Sequence, residues 1–244
     1  MAIPAADVPV PARVRALAGA ATLDPVWRNN LGGVTFRATD ADGIRYVKWG
    51  LRNTETSMRA EAERLPWAAP FTPVPPVLDE GRDATHEWLV TAGVPGLSAV
   101  DPRWIAEPAR AVQALGRGLR ALHDALPVVG CPFSWSVPER IANAAVRGIR
   151  VPDDLRVSPP IDRLVVCHGD ACAPNTLIDD DGAWTGHVDL GALGLGDRWA
   201  DIAVAAMSTE WNYGPGWHDA LLDAYGVAPD ATRLAFYRQL WNAT

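Results

Sequence analysis

Lysine is nearly absent from this chain. Of 22 basic side chains only Lys48 is a lysine, and the rest are arginines. A lysine kept against such a bias marks a place that needs a compact ammonium rather than a planar guanidinium fork. Cysteine is scarce as well. Cys131, Cys167 and Cys172 make an odd number, which argues against a disulfide framework. No apolar run approaches the roughly 20 residues of a membrane-crossing helix. No basic segment followed by a long apolar stretch opens the chain. A cytoplasmic protein with no membrane partner is expected. Positive charge is not in excess, because the formal net charge is −7. That balance argues against a nucleic-acid partner, which would need a basic face. It suits a cationic ligand or a bound metal. There is no Gly-x-Ser-x-Gly, so a serine hydrolase is unsupported. Cys167, His168 and Cys172 lack the fourth ligand of a zinc site.

What remains is ordinary globular material. The 244 residues are 48% hydrophobic and 21% charged, enough for one large domain or two small ones. The first part reads as strands. Val26–Arg28 and Val34–Ala38 flank the turn Asn29-Asn30-Leu31-Gly32-Gly33, and Ile44–Trp49 follows the turn Asp40–Gly43. Met58, Ala62 and Leu65 set a helix from about Thr56 to Ala69, and the Pro-rich stretch 70–76 is a connector. Val77–Glu80 and Thr85–Thr91 read as a hairpin, and Ala92-Gly93-Val94-Pro95-Gly96 as a crossing between lobes. Beyond it, Val112, Leu115, Leu119, Leu122 and Leu126 mark an amphipathic helix stopped by Pro127. Pro138–Arg147 is a second helix, Leu164–Cys167 a buried strand, and Thr176–Ile178 with Ala183–Val188 a hairpin. Three helices close the chain: about Asp197–Ser208, Pro215–Tyr225 and Asp230–Trp241. Asp179-Asp180-Asp181 reads as a solvated turn, and His86, His187 and His218 as structural.

One constellation carries chemistry. Asp170 follows a buried strand, Asn175 lies five residues on, and Asp189 ends the next hairpin. Phosphoryl transfer needs a carboxylate to accept the proton of the attacking hydroxyl, and oxygen ligands to hold Mg²⁺ against nucleotide phosphates. Asp170 suits the first role, and Asn175 and Asp189 the second. Upstream, Lys48 on the third strand suits the α/β-phosphates. Glu61 is placed to fix it, with Glu63 as its neighbouring competitor. Backbone N–H groups of the turn containing Asn30, Gly32 and Gly33 would cover the phosphates.

These residues carry a resemblance. Leu122-His123 with Leu126-Pro127, Cys131-Pro132-Phe133, His168-Gly169-Asp170-Ala171-Cys172 with Pro174-Asn175, Gly196-Asp197-Arg198-Trp199 with Asp201-Ile202-Ala203, and Phe236-Tyr237-Arg238 resemble the aminoglycoside phosphotransferase family, most closely its 3′-phosphotransferase branch. The resemblance spans roughly residues 25–244. It implies an α+β, two-lobed, protein-kinase-like fold: a small antiparallel-sheet lobe with one helix over 1–91 and a mainly helical lobe over 92–244. It implies ATP as phosphoryl donor, with GTP left open, and Mg²⁺ as cofactor. Adenine would hang on backbone groups of Ala92 and Val94, with Thr91 beside them. The implied activity is phosphorylation of an aminoglycoside hydroxyl, the 3′-OH first, and resistance by inactivation. A kinase of another small glycoside, amino sugar or metabolite is the alternative on the same fold. A non-catalytic nucleotide-binding protein is the third, and it should have lost Lys48, Asp170 or Asp189. No protein partner is implied.

Departures from the branch fall on the acceptor side. The segment between Cys131 and His168 is short, with Asp153 and Asp154 as its remaining acids. Ala192 stands where the branch has an arginine. Trp211-Asn212 and Trp241-Asn242 stand where it places acids against substrate amines, leaving Glu210 as a nearby carboxylate. Fewer ammonium contacts are therefore expected.

Overall fold

The computed structural model describes residues 8–53 and 57–244. The expected helix start at Thr56 lies outside them. Two compact units emerge: residues 1–69 with 75–93, and residues 70–74 with 94–244.

The first unit opens with a short helix, α1 (Ala12–Ala18), which the sequence pattern had not indicated. An antiparallel five-stranded sheet follows, in the order β1-β2-β3-β5-β4. Its strands are β1 (Thr22–Arg28), β2 (Val34–Asp40), β3 (Gly43–Leu51), β4 (Val77–Arg82) and β5 (His86–Ala92). Pro25 sits in β1 beside a register shift, which suits a residue with no N–H to a sheet edge. Val34, Phe36, Val47 and Val90 alternate along the strands onto one face and bury it against Val14 of α1. Helix α2 (Met58–Ala68) starts at Ser57, whose hydroxyl accepts from the Ala60 N–H at 3.2 Å.

The second unit is mainly helical. Strand β6 (Leu97–Ser98) and helix α3 (Pro102–Ala106) lead into α4 (Pro108–Ala125). The buried face of α4 is Val112, Leu115, Leu119 and Leu122. Gly116 allows close packing, because a Cβ there would meet the backbone of Leu221 and Tyr225. Next come α5 (Val137–Val146) and a 3₁₀ turn at Asp153–Arg156. Strand β7 (Leu164–Cys167), β8 (Thr176–Ile178), β9 (Trp184–His187) and β10 (Gly194–Asp197) frame the next segment. β7 pairs with β10, and β8 lies between β6 and β9. Helices α6 (Arg198–Tyr213), α7 (His218–Tyr225) and α8 (Ala231–Ala243) complete the unit. α6 runs five residues past its expected end at Ser208, so Glu210, Trp211 and Asn212 are helical. The Pro-rich connector contributes to this unit too, where the Pro73 carbonyl accepts from the His187 N–H at 3.3 Å. Among the described residues, no helix is long and apolar enough to cross a membrane.

Candidate active site

In the first unit, Lys48 lies on β3 opposite Thr35 and Leu89. Its Nζ donates to both carboxylate oxygens of Glu61, at 2.8 and 2.7 Å. Glu61 sits in the first turn of α2 and is only 4% exposed. Glu63, its competitor in the sequence, instead accepts from Arg59 at 3.0 Å on the surface. The turn before β2 closes on itself. Asn29 Oδ1 accepts from the N–H groups of Leu31 and Gly33, at 3.0 and 2.8 Å. The Gly32 N–H donates to the Asn29 carbonyl at 3.2 Å. Those three N–H groups are thus committed within the turn, while Asn30 stands exposed on it. At the end of β5 Thr91 is buried, and the Ala92 N–H donates to the Pro76 carbonyl at 2.9 Å. Adenine would therefore have to use other backbone groups than the Ala92 N–H.

In the second unit, β7 delivers His168-Gly169-Asp170 at its C-terminal end. The loop is clamped by Asp201 of α6, which is 1% exposed. Asp201 Oδ2 accepts from the His168 N–H at 2.6 Å and Oδ1 from the Gly169 N–H at 2.9 Å. His123 Nε2 contacts Asp201 Oδ2 at 2.9 Å, and its Nδ1 contacts the Tyr225 hydroxyl at 2.8 Å. The His168 tautomer follows from its partners. Its Nδ1 accepts from the Asp170 N–H at 3.2 Å, so its Nε2 carries the proton donated to the Val188 carbonyl at 3.0 Å. His187 lies edge-on to His168, and burial, with His168 and His123 nearby, holds its pKa well below the usual imidazole range.

Gly169 has φ +86°, and a Cβ there would run into the Ala192 carbonyl. Gly169→Ala is expected to cost at least about 2 kcal/mol, a fall in Tm of roughly 4–8 °C in a thermal melt.

Burial raises the Asp170 carboxyl above its ordinary range, and the Asp189 charge adds to the shift. The neighbouring Cys172, His168 and Asn175 side chains act in the opposite direction. Asp170 Oδ1 is buried with no hydrogen-bond partner. Asn175 Nδ2 donates to the Asp170 carbonyl at 2.9 Å, which leaves its oxygen as the atom a hard cation would take. Asp189 is exposed and is the one non-glycine residue with positive φ, at 64°, among those described. Two electrostatically coupled carboxylates and a carboxamide oxygen, with no thiolate among them, fit Mg²⁺.

The remaining expected acceptor contacts lie on the 3₁₀ turn, the end of α6 and α8. Asp153 and Asp154 are exposed on the 3₁₀ turn, and Asp153 pairs with Arg156 at 3.0 Å. Glu210 accepts from Arg238 at 3.0 Å. Trp211 is 57% exposed. The Asn212 amide nitrogen is bonded to Ser208. Trp241 packs on Cys172, Val204 and Met207, and Asn242 is exposed. Sequence reasoning missed the parts played by Asp201, His123 and Ser208. The only signal was their place in, or downstream of, the Leu122-His123 and Asp201-Ile202-Ala203 motifs.

A strand-end carboxylate followed by a carboxamide and a second carboxylate defines a phosphoryl-transfer type of site. The phosphotransferase enzyme family model matches residues 33–237, and the chain belongs to that family. It is 36% identical over 226 residues to an aminoglycoside 3′-phosphotransferase of Streptomyces fradiae, covering 80% of this chain and 84% of that one. Among solved structures, an aminoglycoside-3′-phosphotransferase of type VIII matches with TM-score 0.78 and 31% identity, over 95% of this chain and 97% of that one. The aminoglycoside phosphotransferase APH(3″)-Id of Streptomyces rimosus, in complex with ADP and streptomycin, matches with TM-score 0.72 and 29% identity, over 95% and 96%. The kinase-like α+β fold implied by the resemblance is the one observed. The enzyme is an ATP-dependent kinase.

Proposed function

We propose that this enzyme moves the γ-phosphoryl group of ATP to a hydroxyl of an aminoglycoside, the 3′-OH first, and so inactivates the antibiotic. The Asp170 carboxylate carries this reading, because it ends a buried strand and its Oδ1 is buried with no hydrogen-bond partner. It accepts the proton of the acceptor hydroxyl as that oxygen bonds to the γ-phosphorus. The bond from the γ-phosphorus to the bridging oxygen breaks, and ADP leaves. Lys48, held by Glu61, offers an ammonium to the nucleotide phosphates. Asn175 and Asp189 would hold Mg²⁺, which when bound offsets phosphate charge. All five residues are present, which disfavours a non-catalytic nucleotide-binding protein. The test is an ADP-release assay across aminoglycosides, amino sugars and neutral glycosides. ADP release with aminoglycosides is expected, and release with neutral glycosides alone would overturn the acceptor assignment.

The acceptor side favours few amines. Each cation–carboxylate contact at ~4 Å is worth about 1–4 kcal/mol at surface-like dielectric. Glu210 and Asp153, the acids that could replace the missing ones, are both in ion pairs with arginines. Trp211, more than half exposed, offers an indole face instead, which suits a sugar ring or a single cation. kcat/KM is therefore expected to be higher for acceptors with fewer amines. It should change by less than about threefold between ~50 and ~300 mM salt. Equal efficiency on kanamycin-type and neomycin-type acceptors with steep salt dependence would show that carboxylates meet the amines after all. This same feature favours the second reading, a kinase of another small glycoside or amino sugar.

A further inference from the structure

Helices α6 and α8 meet beside the loop that carries Asp170. On α6, Ser208 Oγ accepts from the Ala173 N–H at 2.8 Å. On α8, Trp241 packs on Cys172. Glu210 lies two residues beyond Ser208 and Arg238 three before Trp241, so both stand within one helical turn of those contacts. The two side chains close on each other, and Arg238 Nη2 donates to Glu210 Oε2 at 3.0 Å. Glu210 Oε1 lies 3.8 Å from Nδ1 of His218, the first residue of α7, which is too far for a hydrogen bond. Arg238 is thus the hydrogen-bonded partner of this carboxylate. Helix stability does not explain the acid. Glu210 falls in the last turn of α6, where the helix dipole opposes negative charge. The side chains are 34% exposed for Arg238 and 36% for Glu210, so the bridge itself adds little to folding. A solute can reach the carboxylate there, and it stands next in the chain to the exposed indole of Trp211.

We infer that Arg238 sets acceptor specificity by masking the Glu210 carboxylate. A carboxylate already paired with a guanidinium offers an acceptor ammonium little net charge. The newcomer gains one contact, and it must either break the existing one or share the oxygens with a like charge. Acceptors rich in amines then gain nothing at this edge over acceptors with few. Removing Arg238 uncovers an acid beside Trp211 and turns the edge cation-selective. Arg238 is thus a specificity-determining residue that acts through Glu210 and not on the reacting atoms. This inference rests on the aminoglycoside-kinase reading.

The test uses the full chain with Arg238→Gln, Arg238→Lys, Glu210→Gln, and Glu210→Gln combined with Arg238→Gln. The readouts are kcat, KM for ATP, KM for a kanamycin-type and a more amine-rich neomycin-type acceptor, and a thermal melt. Arg238→Gln is expected to raise kcat/KM for the neomycin-type acceptor roughly five- to tenfold through KM, and for the kanamycin-type one about twofold. KM for ATP should hold within about twofold. The gain should fall by at least about half between ~50 and ~300 mM salt. Arg238→Lys keeps a cation on Glu210 and should keep the parent's acceptor preference. Glu210→Gln leaves the guanidinium without its carboxylate and should lower kcat/KM for the neomycin-type acceptor about three- to fivefold. The double variant should fall within about twofold of the parent, because the gain belongs to Glu210. Parental acceptor KM in a well-folded Arg238→Gln would overturn the inference. So would a gain that survives in the double variant. If Arg238→Gln fails to fold, Glu210→Gln decides the matter, and an unchanged acceptor preference there would overturn the mask. If the parent protein releases ADP with neither aminoglycoside, the acceptor assignment itself fails and this inference goes with it.

Discussion

Asp170→Ala should lower kcat by roughly 10²–10⁴-fold, the usual contribution of a general base. As the proposed base, the Asp170 carboxylate would meet the acceptor and not the nucleotide, so ADP affinity should hold within about twofold. Folding should hold as well. The Asp170 backbone, not its side chain, makes the loop contacts: its N–H donates to His168 Nδ1 and its carbonyl accepts from Asn175. Its side chain is also a strained tenant, because burial and the Asp189 charge both oppose its ionised form. Alanine therefore removes an electrostatic burden, and Tm should stay level or rise. Steady-state kinetics, ADP titration and a thermal melt together check this. Near-parental kcat would remove Asp170 from the chemistry, and a collapsed Tm would mean the side chain holds the loop.

Lys48→Arg should be nearly as damaging as Lys48→Ala. Alanine leaves Glu61 buried at 4% exposure with its ammonium gone. Breaking a buried pair from one side costs about 3–5 kcal/mol. Arginine keeps the charge but places a wide planar fork where a compact ammonium touches two oxygens at 2.8 and 2.7 Å. Pairing with Glu61 would then turn the fork's other edge away from a phosphate. Both variants should lose at least about a hundredfold in kcat/KM for ATP. Only Lys48→Ala should also lose several degrees of Tm. A fully active Lys48→Arg would mean that lysine persists there by chance.

Local patterns made much of this legible. The alternating strands around Lys48 fix its register, and the leucine stripe of α4 gives both its length and its buried face. β10 was hidden because it reads Gly-Leu-Gly-Asp. Its two glycines are there to fit close to Ser134 and Cys167, not to favour a strand. The last turn of α6 was hidden because Glu210-Trp211-Asn212 breaks the apolar periodicity that marks the helix up to Ser208. The clamp on the base loop had no local signature at all. Asp201 acts on N–H groups more than thirty positions upstream, and only the packing of α6 against β7 brings them together.

Asp201 also splits α6 into two kinds of ground for mutation. One carboxylate answers two consecutive N–H groups and an imidazole at once. Asparagine would turn an NH₂ toward an N–H, and glutamate is a methylene too long for a site with 1% exposure. No replacement keeps all three contacts, so drift halts there. Ten residues on, along the same helix, Trp211 stands more than half exposed. Selection for a new acceptor can rework that edge freely while the machinery beneath it is inherited unchanged.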